Sequence, residues 1–285
     1  MCTSNRRTLG KPLFLLLQII AYSVVLYLVF VLCNYQPWSI KSLIGKFIPV
    51  NWFITLYIVL YCLSPYLNII IGKLNKKEFG KLLVTMLLFF SIWPMVMGVT
   101  SSFGFSFEGL STVGRGGNNA GYTFVNFVSV YLVGAYIRLH KVDEKVTTKR
   151  ALLISAMCGL LLWGLRMLPI NSEPWHIAGW YDNILVILLA ASLLVAFKTM
   201  KFKSTIINTI SKAAFTVYII HSSFIPLFDT YSIIREPLYV TIPLILIFIV
   251  MIYVIAWILW KVFSLCTRNL QAKFDSVELI NLNNI

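Results

Sequence analysis

Eight long apolar runs follow one another along this chain, and the charge between them alternates. The runs span roughly residues 12–34, 50–72, 82–98, 122–137, 151–169, 183–197, 213–228 and 238–260. The segments before the first run and after the second, fourth, sixth and eighth hold nineteen of the 24 Lys and Arg residues. The four segments on the other side hold only Lys41, Lys46, Arg115 and Arg235, and Arg166 lies inside the fifth run. A chain threaded back and forth through a bilayer sorts charge this way, with the basic side cytoplasmic. The pattern predicts an all-α, polytopic helical bundle of about eight transmembrane helices with both termini inside. A helix rises about 1.5 Å per residue, so about 20 residues cross a hydrocarbon core of about 30 Å. The sixth and seventh runs are shorter, and the seventh carries His221, Ser222, Ser223 and Pro226, so both are expected to be shielded within the bundle.

Composition narrows the class further. At 59% apolar residues, the chain leaves no room for a separate soluble domain. One membrane domain is expected over residues 1–265, with a cytoplasmic tail over 266–285. The first run is too long for a signal peptide and has no small-residue cleavage site, so it is read as a helix that stays. The net charge of +14 is spread over five short segments and forms no basic face on a soluble domain, which excludes nucleic acid as the partner and points to anionic lipid. The five cysteines, Cys2, Cys33, Cys62, Cys158 and Cys266, include no pair at metal-ligand spacing, and no metal is expected.

All ten acidic residues fall in loops or at run edges. An ion carried across a membrane needs a partner at depth, so this distribution argues against a cation-coupled transporter. Two other titratable residues do lie within runs. Arg166 sits about a turn from the outer end of the fifth, within reach of the interface. His221 lies mid-run in FTVYIIHSSFIPLF, with Tyr218 one turn before it on the same helical face. Imidazole moves protons near neutral pH, and His221 has either that role or a neutral hydrogen bond between helices. Trp175 and His176, with Glu173, Trp180 and Asp182, form an outer loop suited either to a sugar or to the membrane interface. His140 stands among lysines and is expected in solvent. The loop GRGGNNAG at 114–121 follows no strand and lacks the Lys-Ser/Thr of a phosphate cradle. Neither a G-x-S-x-G elbow nor an H-x-x-x-x-D pattern is present.

Three stretches together resemble acyltransferase family 3, the bacterial membrane O-acyltransferases that act on surface polysaccharides. NWFITLYIVLYCLSPYLN at 51–68 is similar to that family's W-F-x-x-x-Y-x-x-x-Y-x-x-S-P-x-x-N pattern through Trp52, Phe53, Tyr57, Tyr61, Ser64, Pro65 and Asn68. FVSVYLVGAYIRLH at 127–140 resembles a Y-L-x-G-A-Y-I-R stretch, and ISKAAFTVYIIHSS at 210–223 an I-S-x-x-x-F-x-x-Y-x-I-H signature. The resemblance covers about residues 6–261. It implies a helical bundle in a bacterial cytoplasmic membrane, an acyl-CoA donor (acetyl-CoA expected), and a hydroxyl on a cell-surface or lipid-linked glycan as acceptor. The first run aligns with the family's third helix, where Arg6, Arg7 and Lys11 resemble the basic residues that usually open it. The family's opening Arg, ten residues, then His, taken as its general base, has no counterpart in this sequence. His221 and Tyr218 are then the candidate catalytic residues. Trp52, Arg166, Trp175 and His176 are the candidate substrate contacts. The alternative is a non-catalytic membrane protein of polysaccharide export or assembly, flippase-like, or an inactive acyltransferase fragment.

Overall fold

The computed structural model describes residues 6–8, 10–49, 51–105, 110–114, 119–168, 176–200, 204–228, 233 and 235–281. It is built of helices: α1 Gly10–Leu32, α2 Ile40–Gly45, α3 Trp52–Lys73, α4 Lys76–Leu87, α5 Trp93–Ser102, α6 Phe124–Leu139, α7 Val142–Lys145, α8 Thr148–Met167, α9 Ile184–Thr199, α10 Thr205–Ser211, α11 Ala214–Phe224 and α12 Leu238–Asp275. Short extended pieces lie at Arg6–Thr8 and Glu278–Asn281. The chain is an all-α polytopic membrane protein, as the charge alternation predicts.

Among the described residues, six helical stretches are long and apolar enough to span a bilayer, and α10 with the Ala214–Leu227 stretch makes a seventh only as one span bent by 51°. The remaining run, the fourth, is α6, which has 16 residues. Boundaries moved where capping chemistry overrode apolarity. The third run becomes a 27-residue stretch, Lys76–Ser102. It starts six residues before the apolar run because Asn75 caps it. The Asn75 side chain accepts from Lys77 and Glu78 N–H groups, and Glu78 answers by accepting from the Asn75 N–H at 2.8 Å. The last helix runs on past the apolar stretch to Asp275, because its polar continuation holds good helix formers (Leu270, Gln271, Lys273) and no Gly or Pro.

The chain forms two compact units. In the first, residues 52–201 with the N-terminal strand residues Arg6 and Arg7, helices α8 and α9 pair closely. Ser155 and Ser192 meet across that pair with hydroxyls 2.8 Å apart, and Thr148 and Thr199 at 2.9 Å. Small hydroxyl residues let two helices approach and bond where no water competes. Phe79, Ile71, Leu132 and Ala135 form a core at α4 and α6. In the second unit, residues 8–51 and 202–279, α1, α11 and α12 enclose Tyr22, Leu26, Phe30, Ile220, Phe224, Ile252, Ala256 and Phe263.

His140 departs from expectation. It is half-buried, with its ring 4.5 Å from Tyr136 and 5.9 Å from Phe79. Lys141 takes a left-handed conformation (φ 49°) directly after it, and this tight corner folds the imidazole back onto the aromatic pair.

Candidate functional site

The first unit uses its motif residues as ties. Tyr61, Ser64 and Asn68 repeat at three- and four-residue intervals on α3, so they share a face. Arg7, only 4% exposed, donates to the Ser64 hydroxyl from Nε at 2.9 Å and from Nη2 at 2.7 Å. Its Nε also reaches the Tyr61 carbonyl at 3.3 Å, and the guanidinium lies 5.3 Å from the Tyr61 ring centroid. One turn further on, Asn68 accepts from the Tyr131 phenol at 2.6 Å. Asn68 closes the first motif stretch and Tyr131 opens the Y-L-x-G-A-Y-I-R part of the second, so the two meet in space.

Trp52 opens α3 inside an aromatic cluster. Its ring centroid is 4.3 Å from Tyr122, 5.7 Å from Tyr181, and 5.9 Å from both Phe53 and Phe127. Tyr181 remains exposed at one edge of this group. Beneath it, Gly121 (φ +82°) is pressed against the backbone of Tyr181 and Asp182, where a Cβ would overlap. Trp180 is buried on Gly98 in the same fashion. Glycine serves at Gly121 because the left-handed backbone and the close approach both exclude a side chain.

Arg166 is exposed in the last turn of α8. His176 lies close to the end of the same helix with both ring nitrogens engaged. Its Nδ1 accepts from the Ala178 N–H at 3.1 Å, which puts the ring proton on Nε2, 3.3 Å from the Leu168 carbonyl. That arrangement caps the turn Ile177–Gly179. Trp175, the remaining expected contact, lies outside the described residues.

In the second unit, His221 and Tyr218 do come together. His221 Nδ1 lies 2.7 Å from the Tyr218 carbonyl and 3.2 Å from that of Val217. A carbonyl only accepts, so Nδ1 carries a proton, and in the neutral ring Nε2 is the acceptor. Among the described residues nothing bonds Nε2. The two rings stand 5.9 Å apart, tilted by 41°. This arrangement leaves a half-buried imidazole with an open basic nitrogen at membrane depth.

Five residues before His221 on the same helix, Thr216 closes a buried polar triad with Gln18 and Tyr22 of α1. Gln18 Nε2 donates to the Tyr22 hydroxyl at 2.9 Å, and that hydroxyl is 3.2 Å from Thr216 Oγ1. The sequence reading passed over this triad. Gln18 and Thr216 are 198 residues apart, and the available signal was a lone Gln and one of two Tyr inside an apolar run.

Among the described residues, no three His, Cys, Asp or Glu side chains gather as a metal site. Against known families, the chain matches one described as an acyltransferase domain over residues 6–261. No curated protein and no solved structure matches it.

Proposed function

The chain belongs to acyltransferase family 3, matched over residues 6–261, and on that premise we propose that it is a membrane-bound O-acyltransferase moving an acyl group, acetyl expected, from acyl-CoA to a hydroxyl of a cell-surface or lipid-linked glycan. The proposed setting is a bacterial cytoplasmic membrane, with both termini and the CoA donor on the cytoplasmic side. The basic segments on that side support this orientation.

The family match carries the reading, and the His221 tautomer supports a role for that residue. In the reaction, the acceptor oxygen bonds the thioester carbonyl carbon, the carbon–sulfur bond breaks, and the hydroxyl proton passes to a base and on to the departing CoA thiolate. An imidazole fixed by its Nδ1–H with Nε2 open is a competent base for that proton. Tyr218, on the same helical face, is the candidate donor toward the developing oxyanion. Trp52 and Tyr181 offer aromatic faces suited to a sugar, and Arg166 offers a cation near the interface.

The test is acyl transfer to glycan by His221→Asn and His221→Ala. Asn retains a donor near the Nδ1 position but has no basic nitrogen. Both variants are expected to insert normally and to lose about 10²–10⁴-fold in rate. Normal acylation in both would make His221 structural. Unchanged acylation with a shortened surface polymer on deletion would favour the export reading.

A further inference from the structure

The stretch from Lys76 to Ser102 is not uniform. Leu88–Ile92 forms one π-helical turn, and Trp93 N–H bonds the Leu88 carbonyl five residues back. In that register the residue facing the Phe89 carbonyl is Pro94, which has no N–H. The carbonyl is taken from outside the helix: the Thr112 hydroxyl donates to it at 2.7 Å. One turn further on, Trp93 Nε1 donates to the Leu110 carbonyl at 2.9 Å. The segment 110–114, non-helical from Ser111 on, is therefore strapped along the side of the third span.

Depth decides what that means. Even if the hydrocarbon began at Lys76, Phe89 lies only about 20 Å along the helix axis, two-thirds of the way through a core of about 30 Å. Starting from Lys81, the last lysine before the apolar run, it lies about 12 Å in, and tilt shortens that projection and so keeps it farther from the outer face. Thr112 is thus inside the bilayer, although its segment belongs to the connection between the third and fourth spans on the outer side. Within it, Val113 N–H bonds the Ser111 hydroxyl at 3.3 Å. Among the described residues, the main-chain N–H and C=O groups of Ser111, Thr112 and Gly114 bond nothing, and Gly114 is exposed. In hydrocarbon each such group costs several kcal/mol, so irregular backbone survives at this depth only against protein or water.

We propose that residues 110–114 are a re-entrant segment lining a water-filled recess in the first unit, entered from the outer face. The hydroxyls of Ser111 and Thr112 and the unbonded main chain make its wall. Under the acyl-transfer reading of the preceding section, on which this second part rests, the recess takes a polar, hydroxyl-bearing acceptor chain below the membrane surface.

Single cysteines at Ser111 and Gly114, in a full-length chain with the native cysteines replaced by Ala, test this. A control cysteine replaces Leu88, one helical position from Phe89 at the same depth and 45% exposed on the side of the helix. A thiol reacts with a charged, membrane-impermeant maleimide only where water allows the thiolate to form. Ser111→Cys and Gly114→Cys are expected to label from outside at least about tenfold faster than Leu88→Cys, since burial in apolar surroundings raises a thiol's pKa by a unit or more. Two positions guard against one failing to fold, and insertion is checked by membrane fractionation. Labelling no faster than the control, or Ser111→Cys disulfide dimers in its place, overturns the recess. Fast labelling that leaves acyl transfer untouched overturns the acceptor route alone. If the unlabelled protein transfers no acyl group, the acyl-transfer reading and the acceptor route fall together, and the recess stands on the labelling.

Discussion

The Tyr131 phenol donates to Asn68 Oδ1 at 2.6 Å, and that bond ties α6 to α3 through a residue from each of two motif stretches. Tyr131 is itself buried, so its hydroxyl has no ready access to water. Tyr131→Phe is expected to destabilise by about 0.5–1.5 kcal/mol. Thermal unfolding in detergent of the two single variants, Tyr131→Phe and Asn68→Ala, and of the double should show a coupling of about 0.6 kcal/mol or more, the scale measured between membrane helices. Strict additivity would mean that the two motifs meet without supporting each other.

Arg7 is the costlier tie. Its guanidinium is buried and gives the Ser64 hydroxyl two donors at 2.9 and 2.7 Å. Ser64→Ala removes the acceptor of both and is expected to cost about 1–3 kcal/mol. Arg7→Lys should fare no better, since an ammonium lacks the planar fork that reaches Ser64 and the Tyr61 carbonyl together. An unchanged melting temperature in Ser64→Ala would show that the remaining contacts of Arg7 hold it.

These two ties mark how far the sequence could be read. Charge alternation and run length identify the spans because insertion responds to those quantities directly. The motif residues Ser64, Asn68 and Tyr131 stand out by resemblance, but which groups they bond does not. Arg7 reads in the sequence as one of the basic residues ahead of the first run, yet the fold buries it. Gln18 and Thr216 are joined only by tertiary packing across 198 residues. His176 sits in a promising outer loop and spends both ring nitrogens on backbone. The strap from Thr112 to Phe89 depends on the π turn Leu88–Ile92 ahead of Pro94, and a periodic pattern carries no trace of such a turn.

Two glycines separate backbone need from empty space. At Gly121 (φ +82°) an added Cβ would overlap the backbone of Tyr181 and Asp182, whereas at Gly179 it would meet nothing within 4 Å. Gly121→Ala combines a left-handed penalty of about 1–2 kcal/mol with that overlap. It is expected to destabilise by more than the penalty alone and to loosen the Trp52–Tyr122–Tyr181 cluster, read as a red shift in tryptophan emission. Gly179→Ala should stay within about 0.5 kcal/mol of the parent. Equal stability for the two would contradict the contact at Gly121.

His140 should give the α6–α7 corner of the first unit an acid sensitivity. Its pKa is held below the ordinary histidine value, first by burial and then by the charges of Lys76 and Lys145. Phe79 and Tyr136 flank the ring, and its Nε2 has no hydrogen-bond partner among the described residues to hold an added proton. The folded state therefore binds the proton less readily than the unfolded chain does. Stability from this group is fully present above the unfolded pKa of about 6.5 and is lost as pH falls from there toward the lower folded value. Below that value both states are protonated and the loss stops growing. Lys76→Gln removes one repelling charge and should move the His140 titration, followed by NMR of labelled histidine, up toward the ordinary value. It should also shrink the acid-induced drop in melting temperature. A His140→Gln variant, which cannot titrate, should lose that part of the drop altogether. If His140→Gln and the parent respond identically to acid, the sensitivity arises elsewhere. A second titrating group in this unit is Asp143, whose pKa is held low chiefly by its hydrogen bond to Lys198, 2.8 Å away. Its contribution disappears only as pH falls through that depressed value, well below the histidine window, so a pH scan separates the two.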